Sequence, residues 1–190
     1  MKRSKPSIKQ WISGSAYKTT AHSGQWMDDD WMFMAEGYIR AAELAVEGCS
    51  RQDRNLILYP VFWLCRHSIE LALKHSTNVG THWQSKNTDH QPPHGHKILA
   101  LWNRLRPIID ECFPSCESDR PEAVGRMIER FAELDPGGQV FRYPLGTKKE
   151  RHFEDNLCVD LTDLTKSTRE IFNFLKGCSY VFEDKLGHNQ

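Results

Sequence analysis

The chain has 190 residues, enough for one domain that buries roughly 70% of its unfolded surface and needs neither a disulfide nor a metal for stability. Its 25 basic and 25 acidic residues give a formal net charge of +0, which excludes a global attraction to nucleic acid or to an anionic membrane, so any such binding requires a local patch. The six cysteines are scattered, no secretory signal is recognisable, and the longest apolar run is too short to span a membrane. We therefore expect a cytoplasmic protein with reduced thiols, no disulfide and no cofactor.

Residues 1–25 mix Lys, Ser, Thr and Gly with isolated aromatic residues, a composition typical of a flexible arm. A single domain is predicted for residues 26–190. The three aspartates at 28–30 mark the start of its first helix, because carboxylates satisfy free amides and complement the positive dipole end there. Gly48 ends this helix. A divalent-cation site formed by the three carboxylates is the alternative.

A second helix is predicted from Asp53 to about Asn78. It is apolar almost all round, so it is expected at the centre of the fold. Pro60 removes an amide donor in its first turns, which predicts a kink or a later start. The polar, proline-containing segment 79–94 is predicted to be a loop.

Apolar residues at helical spacing predict three further helices, over residues 95–112, 119–134 and 162–176. Pro107 is expected to bend or end the first of them, and Gly177 to end the last. Between the second and the third, residues 139–144 and 153–161 show short alternating patterns that allow a small β-hairpin. The sequence therefore predicts an all-α protein, a four- or five-helix bundle with a small β-hairpin insertion.

Four polar side chains interrupt the apolar second helix. Arg66, Glu70 and Lys74 recur every four residues and share one face, while His67 flanks Glu70. Burying these groups unpaired would be unfavourable by several kcal/mol, so they pair, reach water or line a site. Two interpretations stay open: an ion-pair ladder that fixes helix packing, or a catalytic site in which Arg66 binds an anion such as phosphate and His67 or Glu70 transfers protons.

Arg142 lies between two aromatic residues and before a rigid proline. An ion pair with Glu70 is the favoured interpretation, because a carboxylate in the core needs a partner; a phosphate pocket shared with Arg66 is the alternative. We therefore expect Arg66, Glu70 and Arg142 in one polar network that faces the interior. The best local basic patch follows, at Lys148, Lys149 and Arg151. It is a candidate contact for a nucleic-acid backbone, or else a solvated loop.

Four histidines lie close together in sequence and are candidate metal ligands: His82, His90, His94 and His96. Their spacing matches no rigid zinc motif, and Cys112 and Cys116 are separated by three residues instead of the two of a zinc-binding or redox cysteine pair. No metal site is predicted, although a metal-dependent enzyme that uses this segment stays an alternative.

Three motifs, in this order, resemble a bacterial branch of the HEPN-like superfamily: RHxxELxLK at Arg66–Lys74, HxxxxLW at His96–Trp102, and Asp135-Pro136 leading to FRYP at Phe141–Pro144. The similarity covers about residues 27–176. It implies a four- or five-helix bundle, frequently a homodimer, that works in toxin–antitoxin, abortive-infection and other defence systems and often acts on RNA.

The catalytic signature of that superfamily is missing. HEPN ribonucleases typically carry an arginine followed four to six residues later by a histidine, and they cut RNA without a metal. No arginine of this chain has that spacing. Arg66 and His67 are adjacent and so point about 100° apart on a helix. The resemblance therefore supports the fold better than it supports the nuclease.

Three functions follow from these observations. The first is a HEPN-like module that binds RNA or a partner protein, such as an antitoxin, without cutting RNA. The second is a metal-independent ribonuclease with a divergent site of Arg66, His67, Glu70 and Arg142, in which His67 is the base and the arginines hold the scissile phosphate. The third is the metal-dependent enzyme.

A homodimer is expected from the resemblance and from the number of large apolar groups. The candidate interface residues are Trp26, Trp31, Phe33 and Trp63. The alternative is that these aromatic side chains fill the core of one chain.

Overall fold

The computed structural model describes residues 30–85, 94–114, 119–143, 145–146, 148–149, 151–153 and 157–187. They contain α1 (Trp31–Glu47), α2 (Arg54–Ser85), α3 (Ile98–Cys112), α4 (Arg120–Leu134) and α5 (Leu161–Gly187). Within these ranges there is no strand, so the all-α class is confirmed and the small β-hairpin is not formed. The predicted arm, residues 1–25, lies outside the described part of the chain.

The first helix begins where its capping residue predicts. Asp30 Oδ1 accepts hydrogen bonds from the backbone amides of Met32 at 2.8 Å and Phe33 at 3.0 Å, which satisfies two amides that have no partner within the helix. Gly48 follows its last residue, as expected. The other two aspartates of the triplet fall outside the described residues.

The central helix α2 packs against α1, α3 and α5. It starts at Arg54, passes through Pro60 and reaches Ser85, so the loop predicted from residue 79 is wrong for residues 79–85. Packing explains the difference, because Trp83 stacks on Phe182 of α5 with ring centroids 5.8 Å apart. By length and composition α2 is apolar enough to cross a membrane, but 56% of its most apolar stretch is buried inside the bundle, as in the core helix of a soluble protein.

The last helix also runs further than its sequence predicts. Gly177 lies inside α5, which ends at Gly187, and Cys178, Ser179 and Phe182 beyond it are buried. Tertiary packing of this extra length therefore overrides the glycine stop signal. Pro107 lies inside α3, so the expectation that it would end this helix is wrong.

Aromatic packing fixes the segment that follows α4. Phe141 is almost fully buried, stacked on Phe62 of α2 with ring centroids 3.7 Å apart, and Phe131 lies 5.3 Å from Phe62. The backbone of this segment forms turns, in which Gln139 O accepts from the amides of Arg142 and Tyr143. These local bonds occupy groups that a β-hairpin would have needed.

Candidate functional site

A buried ion network joins α2 to the segments next to α3 and α4. Arg66 is 2% exposed, Glu70 2% and Asp135 0%. Arg66 Nη1 donates to Glu70 Oε2 at 3.0 Å, Nε donates to the carbonyl of Asp135 at 3.2 Å, and Nη2 donates to the carbonyl of His96. One guanidinium thus ties together three parts of the chain that are far apart in sequence.

Glu70 is the acceptor at the centre of this network. Its Oε1 accepts from Lys74 Nζ at 2.9 Å and lies 2.9 Å from His96 Nδ1. Burial alone would raise the pKa of the Glu70 carboxyl, but the hydrogen bonds and charges of Lys74 and His96 outweigh burial and hold that pKa below its usual value. The carboxylate is therefore charged and fully paired, as the ion-pair ladder requires.

Arg142 does not belong to this network. Its side chain is exposed, with the guanidinium carbon 5.9 Å from the ring centre of Trp63 and 5.8 Å from that of Tyr143. Within the described residues it makes no hydrogen bond or ion pair with Glu70, so the predicted pair is wrong. The physical reason is that Arg66, Lys74 and His96 already occupy both oxygens of Glu70. The expected interior network is confirmed for Arg66 and Glu70 only.

The sequence interpretation missed three residues of the network, which are His96, Asp135 and Gly138. Asp135 Oδ1 accepts from the backbone amides of Gln139 at 2.8 Å and Val140 at 3.2 Å, while Oδ2 lies 3.5 Å from Arg66 Nε. Gly138 has φ +76, and a Cβ there would come within 2.9 Å of Arg66 Nη1. For the last two, the available signal was the Asp-Pro-Gly-Gly sequence, interpreted only as a helix stop.

His67 lies on another side of α2 from the ion network. Its ring is half-buried, stacked on Trp63 at 5.2 Å and met edge-on by Tyr38 at 4.6 Å. Burial lowers the pKa of His67, and the positive charges of Lys74, Arg142 and Arg66 lower it further against the opposing effect of Glu70. The imidazole is therefore neutral at pH 7 and able to accept a proton.

Arg142 is part of a surface cleft of about 730 Å³, here called the aromatic–arginine cleft, which is lined by Tyr59, Pro60, Trp63, Phe141, Arg142 and Tyr143. Tyr59 is 38% exposed and Tyr143 is 50% exposed. The cleft thus presents aromatic side chains and the exposed cation of Arg142 to solvent at the same place.

The predicted basic patch lies next to this cleft along the chain. Lys148, Lys149 and Arg151 are all exposed. The ring of His152, which follows Arg151, places Nε2 3.0 Å from the carbonyl oxygen of Tyr143. This contact brings the end of the basic segment back to the rim of the cleft.

The histidines do not gather into a metal site in the part of the chain that the structure describes, where no group of three or more His, Cys, Asp or Glu side chains is placed to hold a metal ion. His82 lies in α2, and the ring of His96 contacts Glu70. His90 and Cys116 lie outside the described residues.

No protein-family model, curated protein or solved structure matches this chain. Its function must therefore be inferred from the chemistry of its own side chains. Two places stand out: an ion network whose Arg66, Glu70 and Asp135 are almost fully buried, and an exposed aromatic–arginine cleft that the basic residues follow along the chain.

Proposed function

We propose that the chain is a HEPN-like helical module of the cytoplasm that binds single-stranded RNA in the aromatic–arginine cleft. The observation that carries the proposal is the exposed guanidinium of Arg142 held beside the rings of Trp63 and Tyr143. Proteins that bind single strands combine cations for the phosphates with aromatic rings on which bases stack, and each stacked base contributes about 1–3 kcal/mol.

The zero net charge makes the position of the cations important. Lys148, Lys149 and Arg151 lie on the segment that returns to the cleft at Tyr143, so three cations follow the exposed rings closely along the chain, with Glu150 among them. Stacking on these rings requires bases that are not already stacked in a duplex, which favours a single strand over double-stranded RNA.

The biological setting is proposed from the sequence motifs. Their resemblance to the HEPN-like superfamily favours a homodimer in a defence or toxin–antitoxin system, with an antitoxin or another defence protein as partner. The RNA proposal does not depend on this setting, because it rests on the residues of the cleft.

A second candidate is metal-independent cleavage of RNA, and the neutral His67 favours it. His67 stacks on the same indole of Trp63 that Arg142 covers, so a base and an anion-binding group lie on one aromatic side chain. In this mechanism His67 accepts the proton of the ribose 2′-hydroxyl, and the 2′-oxygen attacks the phosphorus of the phosphate that Arg142 holds. The P–O5′ bond breaks, which leaves a 2′,3′-cyclic phosphate and a 5′-hydroxyl that takes its proton from water. Arg66 and Glu70 are too deeply buried to touch the RNA and would act by holding the structure.

The test is fluorescence anisotropy with a labelled single-stranded RNA of mixed sequence. Arg142→Ala and Tyr143→Ala are each expected to weaken binding by about tenfold, the equivalent of roughly 1.4 kcal/mol. Arg104→Ala, which removes an exposed arginine on α3, is the matched control and should bind like the wild type. Wild-type affinity in Arg142→Ala, or no binding by the wild type, contradicts the proposal.

The same mixtures, run on a denaturing gel with and without chelator, separate the alternatives. Binding without cutting supports the binding module. Cutting that resists the chelator and is lost in His67→Gln supports the second candidate. Cutting that the chelator abolishes indicates a metal-dependent enzyme that uses the histidine-rich segment.

A further inference from the structure

The turn that carries Arg142 and Tyr143 is attached to the buried ion network at Asp135. The Asp135 carboxylate accepts two hydrogen bonds, both from amides of that turn, at Gln139 and Val140. Its other oxygen has no hydrogen-bond partner in the described residues and faces Arg66 Nε at 3.5 Å. The Asp135 carbonyl also accepts from Arg66 Nε at 3.2 Å. Asp135 therefore connects Arg66 on one side with the cleft-forming turn on the other.

The turn is held at two further points. Gly138 packs its backbone directly on the Arg66 guanidinium, a contact that any side chain at this position would block. Phe141 is buried against Phe62 at 3.7 Å, while its neighbours Arg142 and Tyr143 face outward. The side of the turn that faces the protein is thus held by the contact with Arg66 and by aromatic packing, while the side chains of Arg142 and Tyr143 are exposed to solvent.

The exposed contacts of Arg142 are too weak to fix its position unaided. An exposed cation–π contact favours one arrangement by only about two- to fivefold. A site that must be ordered on binding loses affinity, whereas a turn already held in place does not. The attachments below the turn are therefore the stronger contacts that can hold Arg142 and Tyr143 in place.

We propose that Asp135 is the positioning residue of the RNA site. Its carboxylate contacts Arg66 and accepts hydrogen bonds from the amides of Gln139 and Val140, and it thereby holds Arg142 and Tyr143 at the cleft. Asp135 itself touches no RNA. The inference rests on the proposed function for its ligand, but the attachment of the turn is measurable without RNA.

The experiment compares Asp135→Ala, Asp135→Asn and Arg169→Ala in the full chain. Arg169→Ala breaks a two-bond ion pair with Glu43, at 2.7 Å, that joins α5 to α1 away from the turn. It therefore removes an ion pair between helices without touching the site. RNA affinity is measured by anisotropy well below each melting temperature. Hydrogen exchange of the Gln139 and Val140 amides is measured by NMR.

Asp135→Ala should weaken RNA binding by about tenfold, in the range of one lost stacking contact, and should speed exchange of both amides. Asp135→Asn retains an oxygen for those amides, so it should restore much of the affinity even though it lacks the charge that faces Arg66. Arg169→Ala should lower the melting temperature and leave RNA affinity unchanged. A folded Asp135→Ala with wild-type affinity and exchange overturns the proposal, and so does an affinity loss of equal size in Arg169→Ala.

If Asp135→Ala does not fold, Gly138→Ala provides the second variant, since its Cβ would displace the turn from Arg66. It should lose RNA affinity while it keeps its helical circular dichroism, and unchanged affinity overturns the proposal. If the wild type binds no RNA, the proposed function fails, but exchange of the Gln139 and Val140 amides still decides whether Asp135 holds the turn.

Discussion

The Arg66 guanidinium and the Glu70 carboxylate face each other at 3.0 Å, one helical turn apart, with only 3% of each side chain exposed. A buried pair of this kind is a weak source of net stability, because removing two charges from water opposes their attraction. Removing only one partner strongly destabilises the fold, because the other charge is left unpaired in the core. The pair is therefore best understood as fixing geometry, and it is sensitive to the loss of either half.

Glu70→Ala should lower the free energy of unfolding by about 3–5 kcal/mol, because it leaves the buried Arg66 cation without its carboxylate. Urea denaturation followed by circular dichroism measures the change. Glu47→Ala, which removes the exposed end of a 3.5 Å pair with Arg40, is the control and should change stability little. Unchanged stability in Glu70→Ala together with loss of an RNA-cutting activity would instead identify Glu70 as a group needed for catalysis.

Stability should fall as the pH drops below about 6.5, the ordinary pKa of histidine. Burial is the largest cause of the lowered pKa of both His67 and His75. The folded state then binds fewer protons than the unfolded chain, so the stabilisation is present above the unfolded pKa and is lost as the pH falls through the lowered folded pKa. Melting temperatures between about pH 5 and 8 should show this slope.

His67→Gln and His75→Gln provide the check on that slope. Each substitution should flatten part of the decline, and the double variant should flatten most of it. A wild-type slope that survives in the double variant would show that other groups cause it. Glu70 acts at lower pH, because its pKa is also lowered and its stabilisation is lost as the pH falls below 4.5, the usual value for its carboxyl.

The helices that the sequence predicts best are those with local signals at both ends. The cap of Asp30 defines the start of α1, and the pair Asp119 and Pro121 marks the start of α4. The ends of α2 and α5 were predicted too early, because a polar run and Gly177 are stop signals only when nothing packs on the residues beyond them. Phe182 is buried there, and no local pattern contains that information.

In the candidate site, too, the contacts between residues close in sequence were predictable, and those between distant residues were not. Arg66 and Glu70 are four residues apart on one helix, so helical geometry alone places them together. Asp135 is 69 residues from Arg66, and its contact depends on how α4 ends beside α2. Arg142 points outward because its neighbour Phe141 is buried. The Phe-Arg-Tyr-Pro sequence alone does not show which of its two aromatic residues is buried.

A homodimer remains our prediction for the state of the chain in solution. Phe33 is 47% exposed and Leu44 is 51% exposed, and helical geometry puts these two on the same side of α1, which gives an apolar face for a second copy. Light scattering should give twice the chain mass of 22.1 kDa, and Phe33→Glu and Trp31→Glu should each reduce it to one chain. A mass of one chain at every concentration contradicts the dimer. Trp63 is a poor interface candidate, because its ring stacks on His67 and lines the cleft.

The salt dependence of RNA binding should separate the basic patch from the aromatic rings. Each phosphate contact that is made with a cation adds about −0.7 to the slope of log affinity against log salt for a single strand. Lys148→Ala and Arg151→Ala should therefore each make the slope shallower by roughly that amount and weaken binding to all RNA sequences alike. Tyr143→Ala should weaken binding with the slope unchanged, because stacking releases no counterions.

Anisotropy titrations at several salt concentrations between about 50 and 200 mM measure these slopes. Lys166→Ala, which removes an exposed lysine on α5, is the matched control and should keep the wild-type slope. If Lys148→Ala and Arg151→Ala keep the wild-type slope as well, the basic segment is a solvated loop and the phosphates are bound elsewhere. A slope that becomes shallower in Lys166→Ala to the same extent would mean that RNA is held by the general surface of the bundle and not at the cleft.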